Sequence, residues 1–394
     1  MAAASSSDFG LSAFNASNVD LGTADPRDVI CALAASGNDY NGRLGARISA
    51  LFVILAVSSF ATFFPVVAKR VPRLHIPLYV YLFARYFGSG VIVATAFIHL
   101  LDPAYSEIGP ASCVGMTGGW AEYAWCPAIV LASVVVIFLL DFGAERYVEV
   151  RYGIDSETDI QEAVTGYADP GRKPTDAQQA RAASVTDMRR EHDAVMPHDH
   201  HLSLSFHCSS MYEKKFKEDW ADDELDSEAC KSSFRQQIAA FLILEFGVIF
   251  HSVVIGLNLG VVGDEFSTLY PVLVFHQSFE GLGIGARMST IPFRSGSWLP
   301  WILCAAYGLT TPIAIAIGLG VRTTYNPNSF TANVVSGVLD AMSAGILLYT
   351  GLVELLARDF LFNPMRTKDN KRLAFMIFNV ILGAGLMALL GKWA

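Results

Sequence analysis

Apolar runs of roughly 20 or more residues recur eight times along the chain, at 48–68, 78–101, 127–147, 238–262, 266–286, 298–321, 330–357 and 373–391. A helix of that length crosses the hydrocarbon core of a bilayer. Inside the runs the apolar positions are continuous rather than alternating in twos, which excludes an outer-membrane barrel. The pattern therefore predicts an all-α polytopic membrane protein with eight transmembrane helices. Between the third and fourth runs lies the only long polar stretch, 148–237, with weak hydrophobic periodicity and a short turn region at 171–174. It reads as a flexible loop, with a charged helix over 213–235 leading into the fourth run.

Composition sharpens this. The chain of 394 residues is 53% hydrophobic and only 16% charged, against about 25% in an average soluble domain. Of its 65 Asp, Glu, Lys and Arg residues, 30 fall in 148–237. The rest is too poor in charge for a soluble globular enzyme or a disordered protein. A net charge of −9 gives no basic stripe for nucleic acid. Six cysteines are too few for a disulfide scaffold. No Gly-x-x-x-x-Gly-Lys is present to bind a nucleotide.

Cations flank cytosolic helix ends. One side of the bundle carries ten: Lys69, Arg70, Arg73, Arg287, Arg294, Arg358, Arg366, Lys368, Lys371 and Arg372. The other carries four: Arg43, Arg47, Arg322 and Lys392. Both termini are thus expected outside the cell and the three–four loop in the cytosol. The division is an extracellular tail 1–47, helices 1–3 over 48–147, a cytosolic His-containing loop 148–237, and helices 4–8 over 238–394. The tail has no apolar stretch, so no cleavable signal peptide is expected. It holds an Asn15-Ala16-Ser17 sequon.

Ionisable groups at membrane depth cost about 2.5–3.5 kcal/mol each on insertion scales and tend to mark a pathway. His251 and His276 sit near the midpoints of the fourth and fifth runs. His276 and Glu280, four apart, project from one helix face, and Gln277 shares its edge. Small residues at 256/260 and 281/285 allow close helix approach. The fourth and fifth runs are joined by a few residues and are therefore antiparallel neighbours. Two imidazoles, a carboxylate and an amide then meet near the midplane, a donor set suited to zinc, iron or another first-row divalent ion. The competing reading is polar residues hydrogen-bonding helices together. Asp340 and Glu245 are open to that reading too, and Arg85 either snorkels towards the cytosol or pairs with a carboxylate.

HSVVIGLNLG at 251–260 and FHQSFEGLGIG at 275–285 resemble the paired signature of the ZIP (Zrt- and Irt-like) metal-ion transporters, in their fungal and plant branch. ATAFIHLLDPA at 94–104 and SAGILLYTGLVELLA at 343–357 resemble that family as well, and the likeness covers roughly 43–394. It implies a transport site of His251, His276, Gln277 and Glu280 with Ser252 beside them. His99 and Asp102 resemble an entrance group, and Glu354 and Asp141 an exit group, although Asp141 equally fits a helix-end carboxylate paired with Arg146. Ile255 stands where members with a two-metal centre carry Glu, which favours a single-metal site. The resemblance also implies a homodimer in which helices 1, 4, 5 and 6 move against 2, 3, 7 and 8.

The loop adds His198, His200 and His201, with His192, His207 and Cys208 nearby. Five of nine histidines in this loop point to metal sensing or buffering. Lys214, Lys215 and Lys217 are candidate targets of ubiquitination machinery, and Arg181-Ala182-Ala183-Ser184 is a basophilic-kinase pattern. Cys113 and Cys126 share the external loop between helices two and three, an oxidising compartment. A bridge between them closes a short loop worth about 3 kcal/mol of chain entropy, with Cys31 the competing partner. Cys304 reads as a small buried hydrophobe.

The resulting expectation is a multi-pass plasma-membrane importer of Zn2+, with Fe2+ or Mn2+ as alternative cargo, no prosthetic group and no enzymatic activity. The rival classes are an intramembrane zinc-dependent hydrolase and a metal-responsive membrane receptor. Neither His-Glu-x-x-His nor a nucleophile with partners supports the hydrolase.

Overall fold

The computed structural model describes residues 29, 31, 40–71, 77–152, 224–293, 296–362, 367 and 369–392. These contain eight long helices and no strand: α1 (Leu44–Arg70), α2 (Leu78–Ala94), α3 (Trp125–Tyr152), α4 (Glu224–Val261), α5 (Phe266–Thr290), α6 (Leu299–Val321), α7 (Phe330–Tyr349) and α8 (Asn370–Leu390). Each of the eight apolar runs maps onto one of them, the second and seventh continuing beyond α2 and α7 into the helical stretches that follow. The glycosylation sequon, the loop histidines 192, 198, 200, 201 and 207, Cys208, the kinase pattern and the loop lysines all lie outside the described residues. Helices α3 and α4 run past the apolar runs into the polar insertion, covering 148–152 and 224–237 of it. The latter overlaps the charged helix expected over 213–235.

Local sequence sets the ends. Gly42 and Arg43, at φ 89 and 54, turn the chain into α1. Lys69 and Arg70 occupy the last turn of α1, where the helix dipole favours cations. Ser329 caps α7 by accepting from the Ala332 N–H, and Asp369 caps α8 by accepting from Lys371. Pro65, Pro271 and Pro312 lie inside α1, α5 and α6, which packed neighbours make tolerable at membrane depth. Arg47 is fully buried. Its guanidinium donates to the carbonyls of Leu259 at 3.0 Å, Gly260 at 3.3 Å, and Val262, satisfying the carbonyls that end α4.

Two helices leave α geometry in mid-course. After Ala94, α2 passes through a π-helical stretch, Thr95–Leu101, into Asp102–Ile108, and after Tyr349, α7 passes through Thr350–Ala357 into Arg358–Phe360. Such wide turns cluster at functional sites. The first carries His99 and the second Glu354.

Seven of the eight helices are long and apolar enough to cross a membrane by length and composition. The exception is α5, whose apolar pattern is interrupted by His276, Gln277, Glu280 and three glycines. It packs against α1 and α2 in the interior, while α4 packs between α6 and α7, α8 lies on α2, and α3 lies on α7. Large apolar side chains such as Phe52, Phe60, Leu139 and Ile381 instead point outward from α1, α3 and α8, as a lipid-facing surface requires.

The small residues serve other contacts than the one expected of them. Helices α4 and α5 share few contacts. Gly256 and Gly260 admit Thr311, Ala314 and Gly318 of α6, and Gly281 and Gly285 admit Thr62 of α1. The tightest crossing is α2 on α5, where a Cβ at Gly283 would lie 2.7 Å from the Gly88 Cα and one at Gly88 would collide with Gly283.

The disulfide expectation is corrected. Cys113 pairs with Cys31 across a Cα–Cα distance of 5.6 Å. Cys126 is free and buried in the first turn of α3, packed with Ala104, Ile108 and Val114. The chain-entropy model assigns more stabilisation to the longer loop that Cys31 closes, and Cys126 is instead buried in α3.

Candidate metal centre

The i, i+4 spacing on α5 places His276 Nε2 at 3.5 Å from Glu280 Oε2. The His251 ring, on α4, has its centroid 5.4 Å from that of His276. On the other side of His276 stands His99 of α2, edge-on at 5.1 Å. The rings thus form a chain, His99–His276–His251, contributed by three helices, with Glu280 alongside the middle one. His251, Ser252, Gln277 and Glu280 are 0% exposed, His276 1% and His99 7%.

This is a group of donors lacking partners. Within the protein, His251 Nδ1 and Nε2, Ser252 Oγ, His276 Nε2, Gln277 Nε2 and Glu280 Oε1 are buried without a hydrogen bond. An unsatisfied buried polar group costs about 1–3 kcal/mol, so six such atoms in one place need a compensating ligand. The imidazole nitrogens, the Ser252 hydroxyl oxygen and Glu280 Oε1 carry lone pairs that fit a dehydrated cation, whereas the Gln277 amide nitrogen is a donor and does not. Among the described residues no three His, Cys, Asp or Glu side chains converge into a closed cage.

The other predicted residues fall in different places. Ser252 is buried beside His251. Asp102 is exposed where the π-helical stretch of α2 ends, apart from the buried group. Glu354 is buried, ion-paired to Arg358 at 2.8 Å and to Arg287 of α5 at 4.0 Å. Asp141 accepts from the Tyr349 hydroxyl at 2.8 Å. Arg85 pairs with a carboxylate, reaching both oxygens of Asp359 at 2.9 and 2.7 Å. For Glu245 the open reading as an interhelical hydrogen-bond partner is not met: both of its oxygens are buried without a hydrogen bond.

Two features escape the sequence reading. His99, read as an outer entrance residue, meets His276 edge-on. Tyr307 of α6 donates to Gln277 Oε1 at 2.8 Å and approaches Glu280 Oε2 at 3.3 Å. A tyrosine within an otherwise charge-free run was the available signal, because its hydroxyl needs a partner when buried.

Comparison with known proteins gives a consistent result. Residues 44–391 match a family model described as ZIP zinc transporter. The chain is 56% identical over 384 residues to zinc-regulated transporter 1 of Saccharomyces cerevisiae, covering 96% of each. It is 41% identical to zinc-regulated transporter 1 of Schizosaccharomyces pombe, over 91% of this chain and 88% of that protein. It is 32% identical to zinc transporter 9 of Oryza sativa, over 93% and 94% respectively. No solved structure matches.

Proposed function

The chain belongs to the ZIP zinc transporter family, and on that premise we propose that it imports Zn2+ from outside the cell into the cytosol through His251, His276, Gln277 and Glu280. It is a transporter and not an enzyme, so the hydrolase alternative falls. The observation that carries the reading is the set of buried nitrogens and oxygens on α4 and α5 that no protein group satisfies. Ser252 and His99 flank this set, and Asp102 marks its outer approach.

The ion enters past Asp102 and His99, sheds water against the imidazoles and Glu280, and leaves past Glu354 and Asp141. Two charges moving inward gain about 4.6 kcal/mol per 100 mV of inside-negative potential, over three decades of equilibrium ratio. An ATP-hydrolysing domain is unnecessary for that gradient. Ile255 leaves the site without a bridging carboxylate, which favours one ion at a time.

In this proposal α5 is an eighth span, its polar residues shielded by α1 and α2. Both termini are external, in a multi-pass plasma-membrane protein, and the Cys31–Cys113 bridge suits the oxidising side. The tail 1–47, the helices over 48–147 and 238–394, and the cytosolic loop 148–237 are its functional divisions. His198, His200 and His201 act as sensor, with Lys214, Lys215 and Lys217 as sites for ubiquitination. The homodimer rests on family resemblance.

Radiolabelled zinc uptake into proteoliposomes, with Fe2+ and Mn2+ as competitors, tests the assignment. Saturable uptake that excess zinc suppresses more strongly than either competitor supports it. Binding without uptake would mean a receptor.

A further inference from the structure

We propose that Glu245, Cys304 and Met288 form a second, softer cation site on the cytosolic side of the His251–His276–Glu280 group, taking a divalent ion of the zinc or cadmium type. The Cys304 thiol, fully buried on α6, donates to the Met288 thioether of α5 at 3.6 Å. Glu245 on α4 is 3% exposed, has no hydrogen bond on either oxygen, and adjoins Leu244, which belongs to the same buried cluster as Met288 and Cys304. Phe241, Leu244 and Val248 of α4 pack in the same cluster as Met288 and Cys304, so the three helices meet there.

Position along the bundle follows from helical rise. Glu245 precedes His251 by six residues, about 9 Å; Cys304 precedes Tyr307 by three, about 4.5 Å; Met288 follows Glu280 by eight, about 12 Å. Helix α5 runs antiparallel to α4 and α6, so all three offsets point the same way, inward in the proposed orientation. Glu245 and Ser252 are seven residues apart and share one face of α4, and the Ser252 hydroxyl is itself without a partner. Unsatisfied oxygens therefore mark that face from the first site to the second.

Charge and ligand type agree. One thiolate and one carboxylate neutralise a divalent ion, which a dry interior demands, and thiolate with thioether suits a softer cation than imidazole and carboxylate alone. On binding, the Cys304 S–H bond breaks, a sulfur–metal bond forms, and the proton leaves to the surrounding buffer. An isolated carboxylate in an apolar interior has no structural benefit, and a cation bound there would account for it. The placement of this site along an import path rests on the proposed transport function, but binding is tested separately from uptake.

The test uses full-length protein carrying Cys126→Ser, Cys208→Ser and Cys230→Ser, with the Cys31–Cys113 disulfide intact, so that Cys304 is the one free thiol. Titration with Cd2+ alone should produce the ultraviolet sulfur-to-cadmium charge-transfer band. The apparent cadmium affinity should fall about tenfold in Glu245→Gln and in Met288→Leu, as for loss of a supporting ligand. The band should persist in His276→Ala. Absence of the band in the parent protein, or unchanged affinity in Glu245→Gln, would overturn the proposal. Cadmium binding without zinc uptake would defeat the transport reading and leave this site standing.

Discussion

The Tyr307 hydroxyl is shared between Gln277 and Glu280, at 2.8 Å from the amide Oε1 and 3.3 Å from the carboxylate Oε2. One residue of α6 thereby fixes two of the four proposed α4–α5 metal-binding side chains, both on α5. Tyr307→Phe keeps the ring and removes the tether. It leaves buried oxygens without a donor, at about 1–3 kcal/mol. The expected outcome is a KM for zinc raised about tenfold, with a lower Tm. Uptake kinetics and thermal unfolding of purified protein check this; an unchanged KM and Tm would mean the contact is incidental.

Removal of the proposed ligands should be more severe. His251→Ala, His276→Ala and Glu280→Ala should each abolish most uptake while the protein still reaches the surface, because a dehydrated ion loses a partner it cannot replace. Gln277→Ala should be milder, since a neutral amide is a weak ligand and its oxygen is already engaged by Tyr307. Surface biotinylation beside initial uptake rates separates transport from trafficking. Wild-type uptake by any of the first three variants at normal abundance would remove that residue from the site.

The α2–α5 crossing makes a prediction about folding alone. Gly88→Ala and Gly283→Ala each place a methyl group against the facing backbone, which cannot rotate aside. Overpacking of this kind costs about 1–3 kcal/mol or more. Gly385→Ala, with no atom within 4 Å of its added Cβ, should be neutral. Yield of monodisperse protein in detergent and its Tm should separate the two classes, and equal behaviour of all three variants would contradict the close crossing.

Seven of the eight helices were legible in the sequence because each is long and continuously apolar, and spacing alone brings Glu280 to His276 on α5. Contacts between distant segments were not. His99 and His276 are separated by a polar loop and two whole helices, and a π-helical stretch, which carries no sequence signature here, aims His99 inward. The glycines were recognised as close-packing residues, but their partners were misjudged, since adjacency in sequence does not make α4 and α5 the tightest pair. Glu245 shows the same gap: its burial is visible in the apolar run, whereas its lack of a partner depends on α6 and α7.

Deletion of 196–208, which removes His198, His200 and His201, should leave the initial zinc uptake rate largely unchanged. The proposed binding donors are all on helices, and none of them is in the loop. The deletion should instead slow zinc-triggered loss of the protein from the cell surface. Pulse uptake compared with surface half-life in high zinc distinguishes the two. A fallen initial rate at normal abundance would place the loop on the transport path.

The Cys31–Cys113 bridge ties the N-terminal tail to the segment after the α2 extension across a separation of 82 residues. Closing a loop of that size is worth about 4.5 kcal/mol in the chain-entropy model, more than the shorter Cys113–Cys126 loop offers. Stability should therefore fall in Cys31→Ser and Cys113→Ser, with Cys113 becoming alkylatable in the former. Cys126→Ser should leave the bridge intact, and Cys126 should react with a thiol reagent only after unfolding, because it is 1% exposed. Non-reducing peptide mapping decides the pairing: recovery of a Cys113–Cys126 peptide would mean that the tail is not held where the structure places it.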